Sequence, residues 1–255
     1  MENDDHQVGQ ILTRRDALRI LGLGSAALLA ACTPSLPRKE QAAGSPGTPT
    51  SISNLASTTS GLPSCVVRPA MTAGPYFVDE MLNRSDIRSD PTNGSVKDGL
   101  PLILKINVSR IGSNACSALP NARVDLWQCD ASGVYSDAQD PSFNTRGRKF
   151  LRGYQLTDSS GAASFTTIYP GWYPGRTVHI HFKIRSNGYE FTSQLFFEDA
   201  LSDQVFAQPP YSAKGPRTVR NADDGIFQNG GDQLTLDVTL GKDSYAAIFD
   251  IGLQM

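Results

Sequence analysis

Apolar and polar residues alternate with a period of two in most of the apolar segments after residue 100. This period is typical of a β-strand that packs one face against a core. Segments with this pattern, separated by turns rich in Gly, Asn, Asp and Pro, lie at 102–108, 123–126, 163–168, 177–185, 191–198, 234–240 and 245–251. No long segment has the 3.6-residue period of a helix. The pattern predicts an all-β domain, a β-sandwich of about seven or more mainly antiparallel strands.

One of these strands carries two histidines. It follows a turn rich in Pro and Gly, and from position 177 polar and apolar residues alternate as Thr-Val-His-Ile-His-Phe-Lys-Ile. His179 and His181 therefore share one face, and residues two apart on a strand are roughly 6 to 7 Å apart, so two imidazoles can converge on one metal ion. The alternative interpretation is a plain polar face of a strand.

A tyrosine in the preceding turn decides which metal we expect. Tyr173 stands six residues before His179. A phenolate is a hard oxygen ligand that suits ferric iron, whereas zinc sites use mainly imidazole, thiolate and carboxylate. The segment therefore indicates iron.

The first 63 residues have a different composition from the rest. Arg14 and Arg15 precede an apolar run of small residues at 20–31, as in a twin-arginine secretory signal, and the run is short for a transmembrane helix. It ends Leu-Ala-Ala-Cys, which resembles a bacterial lipobox in which Cys32 becomes the lipidated first residue. We expect a signal peptide at 1–32, a flexible Ser/Thr/Pro/Gly linker at 33–63 and one folded domain at 64–255. An uncleaved N-terminal anchor is the alternative.

These segments predict a protein exported by the twin-arginine route, a cell-envelope lipoprotein that touches the membrane only through the lipid on Cys32. The formal charge of −2 comes from evenly spread basic and acidic residues, with no basic stripe, so we expect no nucleic-acid partner. Cys65, Cys116 and Cys129 remain in the exported part, where one disulfide can form. We expect Cys116 to pair with Cys129, because these two flank a predicted strand, and Cys65 to be free or buried.

A second segment carries a further tyrosine. A strand ends near Cys129, a turn follows at 130–133, and Tyr135 comes directly after it. By itself such a tyrosine is most often a packing residue. Together, however, these segments resemble the intradiol ring-cleavage dioxygenases, the non-haem ferric enzymes that include catechol 1,2-dioxygenase and protocatechuate 3,4-dioxygenase. The resemblance is carried, in this order, by residues 72–77, 126–136, 152–153, 157–161, 167–174, 176–181 and 192–197.

The resemblance implies a ligand set for a single non-haem ferric ion per chain: Tyr135, Tyr173, His179 and His181. In the family, the tyrosine that matches Tyr173 leaves the metal when a catechol binds and accepts one of its protons. Arg176 matches an arginine that stabilises negative charge on the ring, and Gln194 matches a glutamine of the pocket. Tyr76 is expected to line the pocket. For Arg176 a surface ion pair is the alternative, and for Gln194 a plain polar strand position.

Two departures from the family pattern limit what can be carried over. Gln128 stands where many relatives have histidine, which leaves the ligand set intact but can change its surroundings. The chain also shows no long helical N-terminal region like the one through which catechol 1,2-dioxygenases dimerise. We therefore carry over neither a particular catechol nor an oligomeric state.

Three functions are compatible with these features. The first is an exported ferric dioxygenase that opens catechol-type rings with O2 and forms cis,cis-muconate-type products. The second is an envelope-anchored module that binds a metal or an aromatic ligand without turnover. The third is a structural envelope lipoprotein. A complete set of two tyrosines and two histidines favours the enzyme.

Overall fold

The computed structural model describes residues 66–113 and 115–255. The signal peptide predicted at 1–32 and the linker predicted at 33–63 lie outside this range. In the described part of the chain, no helix is long and apolar enough to cross a membrane.

Strands dominate the described residues. The elements are β1 (Pro101–Ile111), β2 (Cys116–Ala118), β3 (Arg123–Trp127), β4 (Gln139–Asp140), β5 (Phe143–Asn144), β6 (Arg152–Leu156), β7 (Ala162–Ile168), β8 (His179–Ser186), β9 (Tyr189–Phe196), α1 (Asp199–Phe206), β10 (Val238–Leu240) and β11 (Tyr245–Leu253). Four short 3-10 helices lie between α1 and β10, at Tyr211–Lys214, Asn221–Asp223, Phe227–Asn229 and Gly231–Leu234.

The strands form two larger sheets and one small hairpin. In the first sheet β1 pairs in parallel with β11 on one side, and on its other side antiparallel with β7 and then β2, while β10 pairs with β11. The second sheet is antiparallel throughout, in the order β6-β3-β8-β9. β4 and β5 pair only with each other. The predicted all-β class and the mainly antiparallel pairing are confirmed.

The two sheets pack face to face around one hydrophobic core. Phe182 of the second sheet has its ring centroid 5.6 Å from that of Phe249 in the first sheet. Along β1 the residues Leu102, Leu104 and Ile106 are fully buried and alternate with more exposed neighbours, as the period of two predicts. The molecule is therefore a sandwich.

The strand that carries the histidines differs from the prediction, because β8 is buried on both faces from His179 to Ile184. It is an inner strand with β3 and β9 as neighbours, and the aromatic side chain of Phe77 packs beside it on Trp127 of β3. The face expected to be polar and half-exposed is thus an interior surface.

The strand predicted at 234–240 is wrong for its first half. The chain forms a 3-10 helix at Gly231–Leu234, and β10 covers only Val238–Leu240. Between them, the Leu236 N–H donates to the carbonyl of Phe196 at the end of β9. Of the alternating leucines there, Leu234 and Leu236 are buried in the core, whereas Leu240 is 74% exposed.

The expected disulfide is also wrong. Cys129 is a free, buried thiol whose Sγ lies 3.4 Å from the Gly171 carbonyl oxygen. Cys116 is disulfide-bonded, but not to Cys129. The two cysteines flank β3 in the sequence, but Cys116 begins a strand of the first sheet whereas Cys129 follows a strand of the second, so they do not meet.

Candidate metal centre

The two histidines lie on β8, on the face that points away from the main core. In the strand register His181 is opposite Trp127 on β3 and Gln194 on β9. The Trp127 indole stacks on the His181 ring, with centroids 5.0 Å apart and an interplanar angle of 5°. The packing of a large flat side chain thus fixes the plane of the His181 imidazole.

The ring nitrogens of the two histidines face each other. The Nε2 atoms of His179 and His181 are 3.1 Å apart, and the Tyr173 hydroxyl is 3.1 Å from His179 Nε2. His179 Nδ1 lies 2.6 Å from the Thr177 carbonyl oxygen. Because a carbonyl only accepts, Nδ1 carries the proton and the Nε2 lone pair is free to bind a metal ion.

Both imidazoles are neutral at ordinary pH. Burial, helped by the charge of Arg176, lowers the pKa of His179 to about 3. Burial and the neighbouring His179 hold the pKa of His181 well below its usual range. Neutral imidazole is the form that binds metals, so neither ligand has to lose a proton first.

Tyr135 reaches the cluster from the turn after β3. The Asp130 carboxylate shapes this turn by accepting hydrogen bonds from the N–H groups of Ser132 and Val134, each at 3.0 Å. The Tyr135 ring lies 5.7 Å from the ring of Tyr173, measured between centroids. The sequence places this tyrosine after a turn, and the structure shows why the turn has that shape.

Two glycines bring the turn after β3 against the loop that carries Tyr173. A Cβ on Gly133 would lie 2.1 Å from the Trp172 carbonyl oxygen, and one on Gly171 would lie 2.5 Å from that of Ala131. Any side chain at either position would push the two segments apart. The absence of a Cβ at these positions lets Tyr173 approach Tyr135.

The phenol hydroxyls of Tyr135 and Tyr173 are in surroundings that favour binding of a cation. The Tyr135 hydroxyl is fully buried, and no donor or acceptor among the described residues completes a hydrogen bond to it. Burial raises the pKa of Tyr135 well above its usual value, and the nearby Tyr173 hydroxyl adds to this effect. Burial likewise raises the pKa of Tyr173. A buried polar atom without a partner is costly, and a bound cation would satisfy it.

The donor set itself selects among metals. Among residues 66–113 and 115–255, no three His, Cys, Asp or Glu side chains are grouped to hold a metal ion. The cluster offers only two imidazoles, His179 and His181, and its remaining donors are the phenols of Tyr135 and Tyr173. Hard phenolate oxygens beside imidazole nitrogens suit a ferric ion better than a zinc ion, because zinc sites use mainly imidazole, thiolate and carboxylate.

The structure also joins Arg176 to Gln194. The Arg176 guanidinium donates through Nη2 to Gln194 Oε1 at 2.6 Å and through Nε to Asp224 Oδ2 at 2.9 Å. Gln194 Nε2 donates in turn to the Thr72 carbonyl at 2.9 Å. The ion pair considered for Arg176 exists, but its carboxylate is only 2% exposed, so it is an interior pair next to the histidine strand.

The partners of this arginine were not predicted from the sequence. Asp224 Oδ2 also accepts the Thr177 N–H at 2.7 Å, and Asn221 Oδ1 accepts the Thr177 hydroxyl at 2.6 Å. Burial acts to raise the pKa of Asp224, but the Thr177 hydrogen bond and the charge of Arg176 hold it below its usual range. These residues lie more than forty positions after Arg176, in and directly after the 3-10 helix Asn221–Asp223, where the sequence has no periodic pattern. Only the fold links them to the site.

Two further residues have defined places. The Tyr76 ring stacks on Tyr135, with centroids 4.4 Å apart, and its hydroxyl donates to Asp140 at 2.8 Å. Tyr76 thus packs at the site as expected.

Gln128 donates to the Ile168 carbonyl at 2.8 Å and accepts from the Thr167 hydroxyl at 3.0 Å. Its hydrogen bonds therefore bridge the two sheets and go to none of the four candidate ligands.

The fold and the site together define a class: a β-sandwich protein with a buried cluster of two phenols and two neutral imidazoles. A family model described as Dioxygenase matches residues 72–254. The chain belongs to this family, the intradiol ring-cleavage dioxygenases, and is a ring-cleavage dioxygenase.

Relatives and solved structures agree with this assignment. The chain is 31% identical over 176 residues to the protocatechuate 3,4-dioxygenase beta chain of Burkholderia cepacia, covering 65% of this chain and 71% of that protein. It is 26% identical over 181 residues to the catechol 1,2-dioxygenase of Candida albicans, covering 60% and 58%. The solved intradiol ring-cleavage dioxygenase from Tetranychus urticae is 32% identical, with a TM-score of 0.67, over 74% of this chain and 95% of that one.

Proposed function

We propose that this protein is a non-haem Fe(III)-dependent intradiol dioxygenase that opens catechol-type rings with O2 and forms cis,cis-muconate-type products. The observation that carries the proposal is the meeting of four donors from three segments. His179 Nε2 lies 3.1 Å from His181 Nε2 and 3.1 Å from the Tyr173 hydroxyl. The buried hydroxyl of Tyr135 has no hydrogen-bond partner among the residues that the structure describes.

These four residues would hold one ferric ion. When bound, the ion supplies Lewis acidity that draws electron density from a catechol and prepares its ring for reaction with O2. The chain contributes a largely buried, aromatic-lined site with the donors already in place. This preorganisation avoids the cost of arranging the ligands during the reaction.

The two tyrosines differ in their freedom to move. Tyr135 is fully buried, whereas Tyr173 is partly exposed on its loop. Tyr173 is therefore the tyrosine that can swing aside when a substrate enters, and its phenolate oxygen then accepts a catechol proton. General-base assistance of this kind typically contributes about 100- to 10,000-fold in rate.

Arg176 supplies the positive charge of the site. Asp224 and Gln194 hold its guanidinium from two directions, so the charge has a fixed position close to the histidine strand. A fixed guanidinium stabilises negative charge that develops on the ring more effectively than a mobile one would. Gln194 acts by orienting the guanidinium.

Oxygen uptake tests the proposal directly. Iron-loaded protein is supplied with a panel of neutral and carboxylated catechols, and the products are identified by mass. We expect uptake of one O2 per catechol and products heavier by two oxygen atoms. The same protein loaded with zinc is the control and should be inactive. If protein with stoichiometric iron consumes no O2 with any catechol, the site is a binding module and the enzymatic proposal fails.

We also propose that the protein works at the cell envelope, exported by the twin-arginine route and held by a lipid on Cys32. The support is the sequence pattern of Arg14, Arg15 and Cys32. The twin-arginine route carries folded proteins, which suits a domain that takes up iron before it crosses the membrane.

A further inference from the structure

Arg152 lies in line with the metal-site histidine. It begins β6, directly opposite Trp127 on β3, and Trp127 is directly opposite His181 on β8. Residues opposite each other in paired antiparallel strands point to the same face of the sheet. Arg152, Trp127 and His181 therefore form one row across the sheet, and each is at most 2% exposed.

The Arg152 guanidinium holds the segments on both sides of the Tyr135 ring. Its Nε donates to Ser136 Oγ at 2.7 Å, and its Nη2 donates to the Ser136 carbonyl. Its Nη1 donates to the Tyr76 carbonyl at 3.2 Å. Ser136 is the residue after Tyr135, and the Tyr76 ring is stacked on Tyr135. One planar group thus holds both the backbone next to this phenol and the backbone of the tyrosine whose ring packs on its face.

All three acceptors are neutral oxygens. The carboxylates whose charges reach Arg152 are Glu80 and Asp137, but Glu80 pairs with Lys149 at 2.6 Å and Asp137 accepts the Gly147 N–H at 2.6 Å. Burying a cation with only neutral partners is costly. The three contacts use several N–H donors of the planar guanidinium at once, which a lysine ammonium cannot reproduce. This position therefore requires the planar shape of the guanidinium and not only its charge.

We propose that Arg152 is a positioning residue for the metal centre: it fixes the direction in which the Tyr135 phenol points toward the two imidazoles. The inference rests on the proposed function, because it takes Tyr135 as an iron ligand. It adds a residue that touches neither the metal ion nor the substrate.

The test compares Arg152→Lys with wild type after iron loading. The change keeps the charge but removes the fork, so Tyr135 should bind in an altered orientation. We expect the visible tyrosinate-to-iron band to shift or weaken at equal iron content. We also expect kcat to fall about 10- to 100-fold with little change in KM, the range typical when a partner of a metal ligand is lost.

The matched control is Arg217→Lys. The Arg217 side chain is 4% exposed and binds Asp199 and Asp203, so this variant also loses an interior arginine fork. It should lower the thermal midpoint while leaving the band and kcat unchanged. Should Arg152→Lys not fold, Ser136→Ala removes the Oγ that accepts from Arg152 Nε and donates to the Phe150 carbonyl at 2.6 Å, and it should move the band in the same direction by less.

The outcomes separate this inference from the proposed function. If Tyr135→Phe weakens the band while folded Arg152→Lys, or Ser136→Ala in its place, keeps the wild-type band and kcat, the positioning role is wrong and the iron site stands. If Tyr135→Phe itself keeps the wild-type band, Tyr135 is not a ligand and both proposals fail.

Discussion

Tyr135 and Tyr173 supply the same chemical group but differ in their surroundings. Tyr135 is enclosed, with Tyr76 stacked on one face and its hydroxyl cut off from solvent. Tyr173 lies on a loop, partly exposed, with its hydroxyl 3.1 Å from His179. Enclosure suits a permanent ligand, and partial exposure suits a ligand that leaves and takes a proton.

The role assigned to Tyr173 predicts that its substitution lowers turnover more than iron content, whereas substitution of a histidine ligand does the reverse. Tyr173→Phe should keep three donors and most of the iron, yet lose about 100- to 10,000-fold in turnover because a proton acceptor is gone. His179→Ala should mainly lower iron occupancy, since it removes a permanent ligand. Iron content and oxygen uptake are measured side by side for both variants. Full turnover by iron-loaded Tyr173→Phe would refute the role assigned to this tyrosine.

Among the elements, the short 3-10 helix Asn221–Asp223 and the following Asp224 support the segment at 176–179. Asp224 holds Arg176 and the Thr177 backbone, and the Thr177 carbonyl in turn sets the tautomer of His179. Because Asp224 Oδ1 also accepts the Ile226 N–H, both carboxylate oxygens face donors. An amide cannot satisfy this arrangement, since its nitrogen would face a donor in either orientation.

We therefore expect Asp224→Asn to lower kcat/KM about 10- to 100-fold while the protein stays folded. Steady-state kinetics on iron-loaded protein measure the effect. Asp232→Asn, at an exposed carboxylate in the same region, is the control and should match wild type. Equal kcat/KM for the two variants would show that the Asp224 contacts do not matter for turnover.

The elements also show what the sequence could and could not predict. Along β1 and β11 the period of two gave the correct strands, because one face of each packs on the core and the other remains more accessible. Along β8 the same pattern was misleading, since the polar positions line an interior site. The eight-residue helix α1 (Asp199–Phe206) was missed because it is too short to show a helical period.

The site was partly predictable for a related reason. The four donors lie in local motifs, so the resemblance pointed to each of them by position. Asp224 and Arg152 act through contacts with residues that are 48 and 76 positions away, and no local pattern marks such pairs. The disulfide prediction failed for the same cause, because distance along the chain said nothing about which sheet Cys116 and Cys129 would join.

At the scale of the whole molecule, the sandwich depends on contacts between its two sheets. Phe182 is fully buried and packs against Phe249 across the interface and against Phe191 within its own sheet. The side of β8 opposite to its histidines is therefore anchored in the core. Rigid anchoring of this strand holds the two imidazoles in place.

Phe182→Ala should lower the free energy of unfolding by about 3 to 5 kcal/mol, the range for a buried phenylalanine replaced by alanine. Ile248→Ala is the control, because Ile248 is 63% exposed on the outer face of the first sheet, and its effect should stay within about 0.5 kcal/mol. Denaturant unfolding followed by fluorescence measures both. Similar losses in the two variants would contradict the assigned core.

Export is a property of the whole precursor. Changing Arg14 and Arg15 together to Lys should leave the precursor in the cytoplasm, because the twin-arginine pair is the proposed address. Cys32→Ala should still permit export but lose the lipid. Cell fractionation with an antibody to the folded domain measures both effects. Membrane partition of Cys32→Ala equal to wild type would refute the lipid anchor.

If two phenolates and two imidazoles hold a ferric ion, the visible spectrum of the iron-loaded protein must show it. We expect a burgundy protein with a tyrosinate-to-iron charge-transfer band that weakens in Tyr135→Phe at equal iron content. A colourless wild-type protein that carries stoichiometric zinc after purification and gains no band on loading with iron would contradict it.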